Sequence, residues 1–337
     1  MADTNRRFLL RNRPEGRIAD DTFELVEEPV PEIKDGEALV RTEWISIDPT
    51  NRAWIREEPT YLPPVGIGEV MRGLGMGRVV ASKHDSYREG QLVQGLTGWQ
   101  DWAVASDAAP LMPVAEIPDV SPSFFLGVLG MTGLTAWVGL KDIGRPQQGE
   151  TLVVSAAAGA VGSVVGQIAK INGARVVGIA GGPTKCALLT ERLGFDAAVD
   201  HKAPDWHDQL VAATPDGIDV DFENVGGDIM DAIFARINLR ARIVLCGLIS
   251  GYNDAELPPG PRRFSNLLRQ RALLQGFIVL DHFGRIAEAG AELGAWIREG
   301  KLVPLETVVE GFEQLPNAVN MLFDGANTGK LVVRVAD

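Results

Sequence analysis

The chain has 337 residues, more than one hydrophobic core usually serves, so two domains are expected. With 45% hydrophobic and 23% charged residues, no segment is polar and biased enough to stay unfolded. A formal net charge of -13 repels a phosphate backbone, which argues against nucleic acid as a partner and makes any anion site a local exception.

The opening run MADTNRRFLLRNRPEG lacks the continuous apolar core of a signal peptide. The two cysteines, Cys186 and Cys246, sit inside apolar patterns and read as buried free thiols of a reducing cytosol, so a cytoplasmic location is expected. The first part of the chain reads as short strands with turn punctuation, at Phe23–Val26, Glu37–Ser46, Gly77–Ser82 and Leu92–Gly95. Val120 to Leu140 carries no charge, but Pro122, Gly127, Gly130, Gly133, Gly139 and hydroxyl residues interrupt it. A buried helix beside a cleft between domains is expected there, and no membrane span.

From Thr151 the pattern changes to apolar runs alternating with helical segments, the mark of a parallel sheet covered on both faces. The runs are Thr151–Ser155, Arg175–Ala180, Ala197–Asp200, Val220–Glu223, Arg242–Gly247 and Leu274–Leu280, with helices at Val161–Asn172, Lys185–Leu193, Asp228–Asn238 and His282–Glu299. Val303–Glu310 and Lys330–Val335 are again strand-like, so the tail is expected to return to the first domain. The expected division is residues 1–125 with 301–337, and an inserted nucleotide-binding domain at 126–300.

The strongest motif is AAAGAVGSVVGQIAK from Ala156, an apolar strand running into a glycine turn and then an amphipathic helix. Gly159 and Gly162 leave room for a pyrophosphate and for close helix–strand packing, and the first helical amides hold its charge. Ala157 stands where a three-glycine pattern has its first glycine. The cofactor is chosen at the end of the second strand, where an Asp or Glu would accept the ribose hydroxyls of NAD. Here the chain reads IAGGPTK from Ile179, without an acid. Lys185 can meet a 2′-phosphate, which favours NADPH, although a solvated surface lysine is the plain alternative. His201, at the end of the third strand, stacks on adenine, adds charge or is structural.

Together with GVLGMTGLTA from Gly127, ENVGG from Glu223, CGLISGYN from Cys246, PPGP from Pro258, GFIV from Gly276 and GANTGK from Gly325, the motif resembles the leukotriene/prostaglandin reductase branch of the medium-chain reductases. The resemblance spans nearly the whole chain. It implies an α/β protein with an N-terminal GroES-like β-barrel domain and a Rossmann doubly wound parallel sheet. It also implies a homodimer and NADPH-dependent reduction of an α,β-unsaturated ketone or aldehyde, a hydrophobic enone or enal. It assigns cofactor contacts to Gly159, Ala160, Val161, Gly162, Lys185, His201, Asn224, Cys246, Gly247, Tyr252, Phe277, Ile278, Val279 and Asn327. His201 departs from the branch's tyrosine. Thr50 and Asn51 replace a tyrosine and a methionine that line the substrate cleft in relatives, so substrate preference does not carry over.

No metal is expected, because two cysteines and the scattered His84, His201, His207 and His282 cannot assemble the zinc sites of the wider superfamily. Without a metal, the protein must stabilise an enolate by hydrogen bonds while hydride reaches the β-carbon. Tyr252, just past the fifth strand, either donates to the carbonyl oxygen or α-carbon or only packs on the nicotinamide. Thr50, Tyr61, Trp99 and Tyr252 are read as substrate contacts, with Trp102 beside them, although for Trp99 and Trp102 taken singly core packing is the favoured reading. A quinone reductase on the same scaffold and a non-catalytic NADPH-binding protein are the competing readings.

Overall fold

The computed structural model describes residues 4–58, 60–118, 120–256 and 258–336. The chain divides into two compact units, Met1–Leu126 with Thr307–Ala326 and Leu331–Asp337, and Gly127–Glu306 with Asn327–Lys330.

The first unit opens with an antiparallel ribbon of β1 (Thr4–Leu10) and β2 (Phe23–Pro29). Its spine is β3 (Glu37–Ile47), whose alternating buried residues Ala38, Val40 and Thr42 give it one inward face. On β3 pair β4 (Gly75–Ser82) and β6 (Trp102–Ser106), both antiparallel, and β5 (Leu92–Gly95) and β7 (Met112–Pro113) extend the sheet beyond β4. The short α1 (Pro49–Ala53) leaves the end of β3 with Asp48 as its N-cap. Phe8, Leu10, Phe23, Ile45, Ile47, Trp54 and Trp99 form the core. The strand β1 is absent from the sequence reading because Arg6 and Arg7 mask its period of two. Phe8 and Leu10 point inward, and the Arg6 Nε pairs with the buried Asp101 carboxylate at 2.7 Å.

In the second unit, α2 (Met131–Val138) is buried from Thr132 through Val138, which accounts for the uncharged stretch. Among the described residues no helix is long and apolar enough to cross a membrane. Six parallel strands follow: β8 (Thr151–Val154), β9 (Arg175–Ala180), β10 (Ala197–Asp200), β11 (Ile218–Glu223), β12 (Ile237–Leu245) and β13 (Leu273–Gly276). Between them lie α3 (Gly162–Ile171), α4 (Pro183–Ala187), α5 (Trp206–Ala213), α6 (Gly227–Phe234) and α7 (Ser265–Gln270), with α8 (Ile286–Arg298) after the last strand. The sheet order is β10-β9-β8-β11-β12-β13, which is 3-2-1-4-5-6 counted from β8, the doubly wound dinucleotide topology. Every residue of β8 is buried, as a central parallel strand requires. The core on one face joins Val153, Val177, Ile179, Val199 and Ile243 to Leu210 of α5 and Ile229, Ile233 and Phe234 of α6.

The chain then runs through β14 (Glu306–Glu310) and α9 (Leu315–Asp324) to β15 (Lys330–Arg334), which pairs antiparallel with β3 at Leu331↔Ile47. Phe312, Leu315, Ala318 and Val319 complete the first unit's core.

Three sequence-based elements differ. The helix expected to Asn238 stops at Phe234, and β12 begins at Ile237, because Arg240 adopts a left-handed φ of 63° and a register shift against β11 interrupts the alternation. The strand expected to Leu280 leaves the sheet after Gly276, so Phe277 to Val279 lie beyond its end. The helix expected from His282 begins at Ile286, after a 3-10 turn over Val279–Arg285.

Candidate cofactor and active site

The second unit contains all the proposed cofactor residues. At the end of β8 the chain turns sharply: Ala156 takes a left-handed φ of 49°, and the Gly159 amide donates to its carbonyl at 2.9 Å. Such a conformation costs an alanine about 1–2 kcal/mol. Ala157 is wholly buried and its amide donates to the Ile179 carbonyl at 2.9 Å, so the backbone strain sits one residue before the place where a first glycine was expected. Gly162 must be glycine, since a Cβ there would lie 2.4 Å from the Ala156 oxygen. The N-cap of α3 is Val161, whose side chain supplies no capping bond, so the helix start presents its amides and positive dipole end to an anion.

Asn327 reaches the same turn. The Gly329 amide donates to the Ala158 carbonyl at 2.7 Å, Gly329 bridges Gly159, and the Asn327 Nδ2 donates to the Gly329 oxygen at 2.9 Å.

A second cluster lies at the ends of β11 and β12. One oxygen of the buried Glu223 accepts from the Ser155 hydroxyl at 2.6 Å and from the amides of Val225 at 2.6 Å and Gly226 at 3.0 Å. The Asn224 amide donates to the Ser155 oxygen at 2.7 Å, and its side chain donates to the Ser155 carbonyl at 2.8 Å. The amides of Cys246 and Gly247 both donate to the Glu223 carbonyl. These bonds fix Asn224, Cys246 and Gly247 at the carboxyl edge of the sheet, where open α/β folds bind ligands. Burial, with the Glu223 charge adding, pushes the Cys246 thiol up to about 12, so Cys246 is a neutral packing group and no nucleophile.

Tyr252 follows this edge on a 3-10 turn over Ile249–Gly251. Its hydroxyl comes back toward Gly247, 3.6 Å from where a Cβ would stand. Burial pushes the phenol above the ordinary tyrosine range, opposed by a hydrogen bond with the Leu248 backbone, so the group stays protonated and able to donate. Phe277, Ile278 and Val279 are half-buried just past β13.

At the ends of β9 and β10 the half-buried Lys185 and His201 share a region with Lys202, an exposed residue the sequence reading passed over. Asp200 is spent locally, its Oδ1 accepting from the amides of Gly182 at 2.7 Å and Lys202 at 3.0 Å.

In the first unit, Thr50 is half-buried on α1 and Tyr61 is 42% exposed. Asn51 is committed to structure: its Oδ1 accepts from the Asp48 amide at 2.7 Å and its Nδ2 donates to the Arg72 carbonyl at 3.2 Å. Trp99 is corrected from a substrate contact to a core residue. It has no exposed surface and packs on Phe8 and Phe23 at ring separations of 6.1 and 5.1 Å. Trp102 is likewise buried, with the Arg41 guanidinium over its ring at 4.9 Å.

Two family descriptions match the chain, "N-terminal domain of oxidoreductase" over residues 6–114 and "Zinc-binding dehydrogenase" over residues 160–294. The chain is 47% identical to the NADPH-dependent curcumin reductase of Escherichia coli (strain K12), over 98% of this chain and 97% of that protein. It is 36% identical to a 2-alkenal reductase (NADP(+)-dependent) of Nicotiana tabacum, over 99% and 98% of the two chains. The crystal structure of CurA in complex with NADPH from Vibrio vulnificus is similar with a TM-score of 0.94 at 44% identity, covering 98% of this chain and 99% of that one. The chain belongs to the zinc-independent medium-chain dehydrogenase/reductase family.

In this medium-chain reductase the residues that would be needed for zinc are dispersed. His84 bonds Asp107 at 3.1 Å, His207 lies against Trp206, and among the described residues no three His, Cys, Asp or Glu side chains are grouped to hold a metal ion. Beyond Lys202, the sequence reading also missed Asp221, a wholly buried acid two residues before Glu223. Its signal was visible in the odd polar residue inside the apolar run Val220 to Phe222.

Proposed function

We propose that this medium-chain reductase catalyses NADPH-dependent reduction of the carbon–carbon double bond of α,β-unsaturated ketones and aldehydes. The observation that carries this reading is the 47% identity, over nearly the full length of both chains, to a curcumin reductase. The cofactor residues fit NADPH: the glycine turn offers backbone amides to a pyrophosphate, and Asp200 is tied to backbone amides. When bound, NADPH supplies the hydride that reaches the β-carbon.

The chain's own work is to hold the substrate and stabilise charge. As the β-carbon gains hydride, negative charge grows on the carbonyl oxygen, and a protonated phenol at Tyr252 donates to it. Tyr252 is the catalytic residue of this reading, supported by its place at the sheet's carboxyl edge and its raised proton affinity. Thr50 and Tyr61 contact the substrate, a hydrophobic enone or enal. Gly159, Ala160, Val161, Gly162, Asn224, Cys246, Gly247, Phe277, Ile278, Val279 and Asn327 contact the cofactor, with Lys185 and His201 at its 2′-phosphate.

The working form is a homodimer in the cytoplasm. Support for the dimer is the open edge strand β13, near which Leu239, Leu268 and Leu273 are 54%, 82% and 45% exposed. The cytoplasm is supported by Cys186 and Cys246, both free. Product analysis tests the activity: the saturated carbonyl compound is expected from an aryl enone and NADPH, and formation of the allylic alcohol instead would move the chemistry to the carbonyl.

A further inference from the structure

We propose that Lys185, His201 and Lys202 form one cation set for the cofactor's 2′-phosphate, and that His201 takes up a proton as the phosphate binds. Affinity for NADPH, unlike affinity for NADH, then rises as pH falls through neutrality. This rests on the NADPH reading above and extends it to the coupling of cofactor choice with protonation.

The geometry converges on Gly181. A Cβ at that position would stand 3.0 Å from the His201 Nε2 and 3.0 Å from the Lys202 Cε, so the two side chains meet over a place that glycine leaves open. Lys185 belongs to the same group, since its charge acts on His201 and the Lys202 charge acts on Lys185. The acid that acts on His201, Asp200, accepts from the amides of Gly182 and Lys202, and those bonds hold its carboxyl below the usual range.

Charge balance decides the protonation state. While His201 is neutral, the positive charges acting on it are those of Lys202 and Lys185, and the negative one is that of Asp200. A 2′-phosphate carries close to two negative charges at neutral pH. Protonating His201 adds a positive charge beside the two ammonium groups.

The groups that face the imidazole from each neighbouring element are few. From its own loop come Asp200, which raises its proton affinity, and Lys202, which lowers it; from α4 comes Lys185, which also lowers it. Just past β9 lies Gly181, and α5 carries the neutral Gln209, whose Oε1 accepts from the Asp200 amide at 3.1 Å. Cys186 on α4 is a neutral thiol, its proton held by burial and by Asp200. Without a ligand, burial and Lys202 keep the ring below the ordinary histidine range and hence uncharged at neutral pH. A dianion beside it reverses the sign of the local field, and the ring protonates.

Titration calorimetry with NADP⁺ and NAD⁺, in two buffers of different ionisation enthalpy near neutral pH, reads the proton directly. Wild type is expected to take up a substantial fraction of one proton with NADP⁺ and none with NAD⁺. NADP⁺ should bind about three- to tenfold more tightly at about pH 7 than at about pH 8, within the tenfold limit for one linked proton. His201→Gln should abolish both the uptake and the pH dependence. Lys202→Ala, at an exposed position that folding does not need, should weaken NADP⁺ about tenfold and leave NAD⁺ unchanged. Tight NADP⁺ binding without uptake, or uptake that survives in His201→Gln, overturns the proton claim. Equal loss of both nucleotides in Lys202→Ala overturns its place in the set. Equal affinity of wild type for NADP⁺ and NAD⁺ would instead overturn the underlying cofactor reading.

Discussion

Asp221 and Glu223 lie on the same face of β11, both wholly buried, yet the hydrogen bonds go to only one of them. Glu223 accepts from Ser155, Val225 and Gly226, whereas neither carboxyl oxygen of Asp221 has a hydrogen-bond partner among the described residues. Burial raises the proton affinity of both groups, and Glu223 raises that of Asp221 further. The donors around Glu223 favour its ionised form, so Asp221 is the member that carries the proton in the folded protein.

This arrangement makes stability depend on pH. A carboxyl whose folded pKa lies above its unfolded value near 4 keeps its proton on folding, so its favourable contribution is full below about pH 4 and is lost as pH rises through the folded value. Asp221→Asn removes that titration and keeps the shape. It should raise stability by about 1–3 kcal/mol at about pH 8, with the gain shrinking toward about pH 4. Urea unfolding of both proteins across this range measures it; a variant less stable at every pH would show that the acid group itself is required.

Gly162→Ala places a Cβ 2.4 Å from the Ala156 carbonyl and must open the turn before α3. Because the pyrophosphate is common to both nicotinamide cofactors, NADPH and NADH should lose affinity together, by about tenfold or more for a loss on the order of 1.4 kcal/mol. Equilibrium binding measured by tryptophan fluorescence distinguishes this from a loss confined to one cofactor.

Lys185→Ala is the complementary case. One charge-assisted contact to the 2′-phosphate is worth about 1.5–3 kcal/mol, so the Michaelis constant for NADPH should rise about tenfold or more while that for NADH stays nearly constant. Equal changes for the two cofactors would remove Lys185 from the phosphate site.

Tyr252→Phe keeps the ring and deletes the donor. Turnover should fall by about a hundredfold, within the range for a positioned proton donor, with NADPH binding unchanged. The phenol's raised proton affinity further predicts that turnover shows no alkaline decline from this group below its ordinary range near 10. Unaltered turnover in the variant would hand the donor role to the ribose hydroxyl or water.

The Rossmann sheet was legible because a central parallel strand such as β8 must be apolar throughout, and because the glycine turn follows it without a gap. Strand β1 was not, since the adjacent Arg6 and Arg7, which pair with Asp101 and Glu28, interrupt its period of two. The end of α6 was misplaced because the left-handed Arg240 breaks the period of β12. Trp99 shows the limit for the site: core packing is the better reading of a lone tryptophan, yet its place beside glycines also suits a pocket wall, and its contacts with Phe8 and Phe23 decide. Lys202 escaped notice because its meaning comes from Gly181, distant in sequence but beneath its side chain.

The central claim, reduction of an activated carbon–carbon double bond, is tested most directly by NADPH oxidation rates with an aryl enone, a long-chain enal, a naphthoquinone and a saturated aldehyde. Turnover of the enone or enal, with the saturated aldehyde inert, is the predicted result. Turnover confined to the quinone would contradict it.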